Sequence, residues 1–210
     1  MGSRLVTENP THSLQEAEGD GTIANGMHRS VPIACEARLS EPVACEARLS
    51  EASAHEGFMG LALAEAKAAS AIGEVPVGAV VTKGDRVIAK AHNLRETTRD
   101  ASAHAEFLAM REAMETLDAW RLEGCTVYVT LEPCIMCAGL MHQARIESCV
   151  FGAFDPKAGA LGSLYRINGD DRLNHRFEAV GGIREAECAM LLKEFFRSRR
   201  KSRNKGHQAH

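Results

Sequence analysis

The sequence predicts a single layered α/β domain over residues 51–200, preceded by an acidic extension at 1–50 and followed by a basic tail at 201–210. Three observations carry that reading. Helical and strand-like patterns alternate through residues 51–200, the arrangement that packs helices against a sheet. A run rich in β-branched residues, 126–131, lies between two helical patterns, where a central strand belongs. The charge is segregated: residues 1–56 carry four basic and nine acidic side chains, whereas the last fourteen residues alone hold Arg197, Arg199, Arg200, Lys201, Arg203 and Lys205.

The elements follow in order. Phe58, Leu61, Ala64, Ala68 and Ile72 recur at helical spacing and end before Gly73. Residues 76–82 form a short apolar run; Lys83-Gly84-Asp85 then turns the chain into 86–91, which reads as a β-hairpin. Ser102 is a candidate N-cap for a helix with Phe107, Met110, Met114 and Leu117 on one face. After the 126–131 strand a helix is expected to follow Pro133, because proline suits a helix's first turn. Residues 148–152 read as a further strand. Cys188, Leu191, Leu192, Phe195 and Phe196 stripe a last helix that runs into the basic tail.

The extension is polar and poor in aromatics, so it cannot bury enough surface to offset chain entropy, and disorder is expected there. It contains a tandem decapeptide: residues 31–40 are followed by a near-copy at 41–50. Two copies of ten residues are too short for a solenoid. A slipped duplication in a tolerant tail is preferred to a docking segment with Cys35 and Cys45 as a redox or metal pair. Seven cysteines do not form an even secreted framework, and Cys125, Cys149 and Cys188 fall within apolar patterns, as small hydrophobes. No stretch approaches the apolar length of a membrane span, and the first thirty residues resemble neither a signal peptide nor a transit peptide. A reducing, cytoplasmic setting is the expectation.

The chemistry concentrates in His104-Ala105-Glu106 and Pro133-Cys134-Ile135-Met136-Cys137. One imidazole and two thiolates make three zinc ligands, and three protein ligands leave a fourth position open for water. His104 and Glu106 would diverge in mid-helix, so the pair makes sense only in a first turn. Cys134 and Cys137, three apart at the start of the next helix, gain thiolate character from its unsatisfied N–H groups and dipole. A redox Cys-x-x-Cys pair would not explain the His-x-Glu, and a closed structural zinc lacks a fourth ligand at matched spacing, His142 and Cys125 being the nearest. Together the motifs match the H-x-E…P-C-x-x-C signature of zinc-dependent base deaminases, in which the Glu shuttles protons. The bland alternative for Glu106 is a first-turn acid complementing the helix dipole.

From about residue 74 to 200 the chain resembles the bacterial tRNA-specific adenosine deaminases. The resemblance rests on Glu74-Val-Pro-Val-Gly-Ala79, Ala91-His-Asn93, His104-Ala-Glu106, Thr130-Leu-Glu-Pro-Cys-Ile-Met-Cys-Ala-Gly139, Val150-Phe-Gly-Ala153, Asp155-Pro-Lys157, Gly162-Ser-Leu164, Asn174-His-Arg176 and Phe195-Phe-Arg197. It implies a cytidine-deaminase-like three-layer α/β/α fold with a mixed five-stranded sheet, a homodimer, and one zinc ion per subunit with no organic cofactor. The implied substrate is the wobble adenosine of a tRNA anticodon, an arginine tRNA being expected. Its implied site is Glu106 as proton shuttle, His104, Cys134 and Cys137 as zinc ligands, and Asn93, Ala105, Glu132 and Pro133 around the base. Asp155, Lys157, Asn174, Phe196, Arg197, Arg199 and Arg200 are the implied contacts to the anticodon arm. The lesser alternative for Asn93 is an Asn ending a strand at a turn, and that for the basic tail is a solvated helix end. The extension has no counterpart in the family pattern. Two rivals stand beside this reading: a deaminase of a free nucleobase or nucleotide, of guanine or cytosine type, and an inert zinc-stabilised RNA-binding scaffold. The scaffold would have no use for Glu106.

Overall fold

Helices and strands alternate as α1(Pro42–Ala71), β1(Gly78–Lys83), β2(Arg86–His92), α2(Arg95–Thr98), α3(Ala105–Thr116), β3(Cys125–Leu131), α4(Ile135–Ala144), β4(Ser148–Ala153), β5(Glu178–Gly181) and α5(Glu185–Gly206). The computed structural model describes residues 42–206, with side chains over 52–201. The first decapeptide copy and Cys35 lie outside the described residues. The second copy falls on the backbone of α1, which begins at Pro42 rather than near Glu51. Its Ala, Glu, Leu and Arg are strong helix formers, and proline is tolerated at a helix's first position. At the other end α5 continues to Gly206, past the expected limit at Arg200.

The five strands form one sheet in the order β2-β1-β3-β4-β5. β1 pairs antiparallel with β2 and β3, whereas β3–β4 and β4–β5 are parallel, so the sheet is mixed. Gly84 takes the positive φ (56°) that the tight β1–β2 turn requires. β5, the four-residue strand Glu-Ala-Val-Gly, is the fifth strand that the resemblance implied but the residue pattern did not locate; it is too short to show a period.

Period-two alternation divides the core. Ala79, Val81, Val127, Val129, Cys149 and Phe151 face α3 and α4, meeting Ala105, Ala109, Met110, Ala138 and Met141. Val80, Tyr128 and Val150 face the other way, onto Met59, Ala62 and Leu63 of α1 and Cys188 of α5. The result is a three-layer α/β/α sandwich. Cys125, Cys149 and Cys188 are free and buried in it, as small hydrophobes should be.

Two sequence expectations shift. The buried face of α1 is Met59, Ala62, Leu63, Ala66 and Ala69, while Leu61 and Ile72 are 39% and 55% exposed. An alanine-rich helix offers apolar residues on more than one face, and close approach decides between them. A Cβ on Gly78 would lie 2.2 Å from the Ala62 carbonyl oxygen. Ser102 does not cap α3; its N–H and hydroxyl both donate to Asp100 Oδ1 (2.8 and 2.7 Å), and the N-cap is His104.

Candidate active site

The carboxyl ends of β2, β3 and β4 and the start of β1 lie at one edge of the sheet, as the antiparallel and parallel registers require. Ligand sites of open α/β sheets favour that edge. Here a cavity of about 200 Å³ is lined by Val75, Val77, Asn93, Arg95, His104, Glu106, Leu131, Glu132, Cys134, Asp155 and Ala158.

Two helix starts converge on it. His104 is the N-cap of α3 and Cys134 that of α4, both with extended backbone, and neither side chain caps its own helix. The side chains turn to each other instead. His104 Nδ1 lies 3.7 Å from Cys134 Sγ and 3.6 Å from Cys137 Sγ. All three donor atoms fall within 4.8 Å of one another. One nitrogen and two sulfurs at that separation suit zinc, and three ligands leave a coordination position open. The Cys134 thiol is pulled down to about 3 by the hydrogen bond from Cys137, aided by His104. Cys137, sharing its proton with Cys134 and buried, is pushed up. The hydrogen bond of His104 to Cys134 raises His104 against the opposing effect of burial.

Glu106 is the second residue of α3 and only 4% exposed. A carboxylate that merely complements a helix dipole would stand in solvent. Burial lifts its carboxyl above the ordinary carboxylate range, outweighing its own backbone N–H and the nearby His104. A carboxyl group so tuned, beside a metal cluster and lining a cavity, is placed to take and return protons.

The opposite walls are loops. Asn93 is buried, and its Nδ2 donates to Glu74 Oε2 at 3.0 Å. Because a carboxylate can only accept, this bond fixes which way the amide is turned. Glu74 Oε1 also accepts the Thr97 N–H at 2.6 Å, so one fully buried acid orders both Asn93 and the start of α2. Burial alone would raise Glu74; the Thr97 and Glu96 hydrogen bonds and the Arg199 charge together hold it low.

Glu132 lines the second wall, and its carboxylate is engaged by the loop after β4. Oε2 accepts the Asp155 N–H (3.0 Å) and the Ser163 hydroxyl; Oε1 accepts the N–H groups of Leu161 (3.1 Å) and Ser163 (3.0 Å). Four donors occupy the roughly four lone-pair sites of a carboxylate. These bonds outweigh burial and keep Glu132 below its ordinary range. The carboxylate itself is thus committed to this loop, while Glu132 remains part of the cavity wall.

The structure brings His104, Glu106, Cys134, Cys137, Asn93, Glu132 and Asp155 to one cavity. Ala105 is buried in the core, and Pro133 is buried with its carbonyl accepting the Ala160 N–H at 2.8 Å, so neither side chain lines the cavity. Lys157 is exposed just beyond Asp155, whose Oδ1 accepts its N–H at 2.9 Å. Asn174 is displaced: its carbonyl binds Arg145, at the far end of α4 from the cysteines. Phe196, Arg197, Arg199 and Arg200 are exposed on α5. Sequence reasoning gave no role to Glu74 or to Arg95 on the cavity wall. A buried acid directly before the apolar run of β1 was the only signal for Glu74.

The layered fold and this site define a deaminase, and the chain matches the MafB19-like deaminase family over residues 53–200. Within that class it belongs to the tRNA-specific adenosine deaminases. It is 51% identical over 148 residues to the tRNA-specific adenosine deaminase of Bacillus subtilis (strain 168), covering 70% of this chain and 92% of that one. A structure from studies of A-to-I editing by tRNA:A34 deaminases at the wobble position shares 43% identity at a TM-score of 0.63, over 65% of this chain and 99% of that one. A guanine deaminase from Nitrosomonas europaea is more distant, 27% identical at a TM-score of 0.56, over 83% of this chain and 98% of that one.

Proposed function

We propose that this chain converts the wobble adenosine of a tRNA anticodon, that of an arginine tRNA first, to inosine, consuming water and releasing ammonia. The carrying observation is the buried Glu106 carboxyl beside the His104–Cys134–Cys137 cluster, in a chain 51% identical to a tRNA-specific adenosine deaminase. One zinc ion per chain, held by those three residues, supplies an activated water. Glu106 accepts a proton from the attacking water and hands it to purine N1, then takes the second proton from the hydroxyl added at C6 and delivers it to the amine, which leaves as ammonia as the C6 carbonyl forms. Asn93, its amide held by Glu74, orients the purine. A cavity of about 200 Å³ takes a base rather than a duplex, so the adenine must leave its stack to enter. Arg199 and its neighbours on α5 meet the phosphates of the surrounding loop, a mode suited to single-stranded RNA.

The reading includes a cytoplasmic homodimer. Among the described residues no helix is long and apolar enough to cross a membrane. Ile135, Leu164 and Tyr165 are 57%, 52% and 53% exposed, apolar surface that a second subunit would cover.

The test is nucleoside analysis of an unmodified arginine tRNA anticodon stem-loop after incubation with the zinc-loaded protein, with free adenosine, guanine and cytosine in parallel. Inosine at the wobble position of the stem-loop alone is expected. Conversion of a free base with an untouched stem-loop would keep the site chemistry and replace the substrate.

A further inference from the structure

Glu132 is buried, lines the cavity and stands two residues before Cys134, yet its carboxylate is fully engaged by hydrogen bonds from elsewhere in the chain. Every donor it accepts comes from one loop: the N–H groups of Asp155, Leu161 and Ser163, and the Ser163 hydroxyl. The loop has closed tightly on it. A Cβ on Gly159 would stand 2.3 Å from the carboxylate, so only glycine lets the backbone approach. Two more links tie the same segments: Ala160 N–H donates to the Pro133 carbonyl at 2.8 Å, and Gly159 bridges to Cys134. The loop in turn supplies Asp155 and Ala158 to the cavity wall, and Asp155 Oδ1 accepts the N–H groups of Lys157 (2.9 Å) and Ala158 (3.2 Å).

We infer that Glu132 is a positioning residue: its carboxylate folds the 155–163 loop into the wall that receives the RNA, and ties that wall to the turn bearing Cys134. It acts through the loop and makes no contact with the base. The inference rests on the tRNA deaminase reading for its substrate, but the loop contacts stand independently of it. Losing this anchor weakens RNA capture more than turnover, because His104, Glu106 and Cys137 are held at the starts of α3 and α4, and the loop meets the cluster only through its bridge to Cys134.

The experiment compares Glu132→Gln, Ser163→Ala and the double variant in the zinc-loaded protein. The readouts are zinc content, amide hydrogen exchange of residues 155–163, and KM and kcat on the anticodon stem-loop. Glu132→Gln is expected to keep one zinc per chain, to lose protection at Asp155, Leu161 and Ser163 by about tenfold or more, and to raise KM about 10- to 100-fold with kcat within about threefold. Ser163→Ala, at an exposed residue, is expected to move the same quantities by a smaller factor, about 3- to 10-fold. The double variant should be no worse than Glu132→Gln, since the hydroxyl acts only through the carboxylate. Unchanged exchange, a fall in kcat at constant KM, or additive losses would each overturn the inference. Should Glu132→Gln fail to fold, Ser163→Ala decides alone, and an unchanged KM sinks it. If the wild type leaves the stem-loop untouched, the substrate reading fails, while exchange and zinc content still decide the role of Glu132 in holding the loop.

Discussion

On one side of the cavity, two helix N-termini bring together the proposed zinc ligands and proton carrier, His104 and Glu106 at one and Cys134 and Cys137 at the other. On the substrate side, two buried acids, Glu74 and Glu132, supply no reacting atom and instead hold loops in place through 3.0 Å and 2.6 Å bonds at Glu74 and a ring of four donors at Glu132. The first arrangement is local, since each helix start fixes its own residues within one turn. The second is long-range: Glu74 reaches 19 and 23 residues along the chain, and Glu132 reaches 23 to 31. Damage to the first should stop chemistry, whereas damage to the second should loosen capture by degrees.

The largest effect of a single substitution is therefore expected at Glu106. Glu106→Ala removes the proton carrier while leaving the ligand atoms, and stem-loop turnover should fall about 10²–10⁴-fold with zinc content and melting temperature retained. Loss of zinc or of solubility instead would make Glu106 a structural acid and dissolve the distinction between the two sides.

Metal removal comes next and carries a pH signature. In the metal-free site Cys137 is pushed up and keeps its proton at neutral pH, and His104 is raised as well. Zinc requires thiolate and neutral imidazole, so its binding must expel about one proton or more per ion. The sign follows: protons released on binding make zinc affinity rise with pH. Titration calorimetry in buffers of different ionisation heat measures the number directly, and a count of zero would mean the cluster is already fully deprotonated. Activity should vanish on chelation and return with zinc.

On the substrate side, Asn93→Ala and Glu74→Gln should each lower kcat/KM for the stem-loop by about 10- to 100-fold, the cost of one or two buried, charge-assisted hydrogen bonds. Because Glu74 acts on the base through Asn93, the double variant should be less than additive. Additivity would show that Glu74 serves α2 alone, through Thr97.

The same contrast explains what was legible beforehand. His104, Glu106, Cys134 and Cys137 lie at spacings that only a helix start makes useful, so the centre could be read from the sequence. The hairpin and the β3 and β4 strands were visible because both sheet faces are covered and the runs are apolar. The buried face of α1 was not, since its alanines leave the phase to Gly78 on another element. β5 has four residues and pairs through Gly181, whose Cβ position is filled by the Phe151 ring. Glu132 was placed near the base by the resemblance alone. Its actual partners lie up to 31 residues away and are mostly main-chain groups, which leave no mark on residue identity.

The smallest predicted effect concerns the basic surface, and salt sharpens it. Arg95 lines the cavity, and Arg199 lies on exposed α5, close enough to Glu74 to influence its charge. Arg86 caps the β1–β2 hairpin at the opposite edge of the sheet, where Lys83 pairs with it, so it serves as the control. Each phosphate neutralised on a single strand contributes about 0.7 to the slope of log affinity against log salt. Arg95→Ala and Arg199→Ala should each flatten that slope by about one contact's worth, with kcat unchanged, while Arg86→Ala leaves it as it was. A uniform drop for all three would reduce the contribution to net charge alone. A change at Arg95 without one at Arg199 would confine RNA contact to the cavity mouth and leave α5 a solvated helix end.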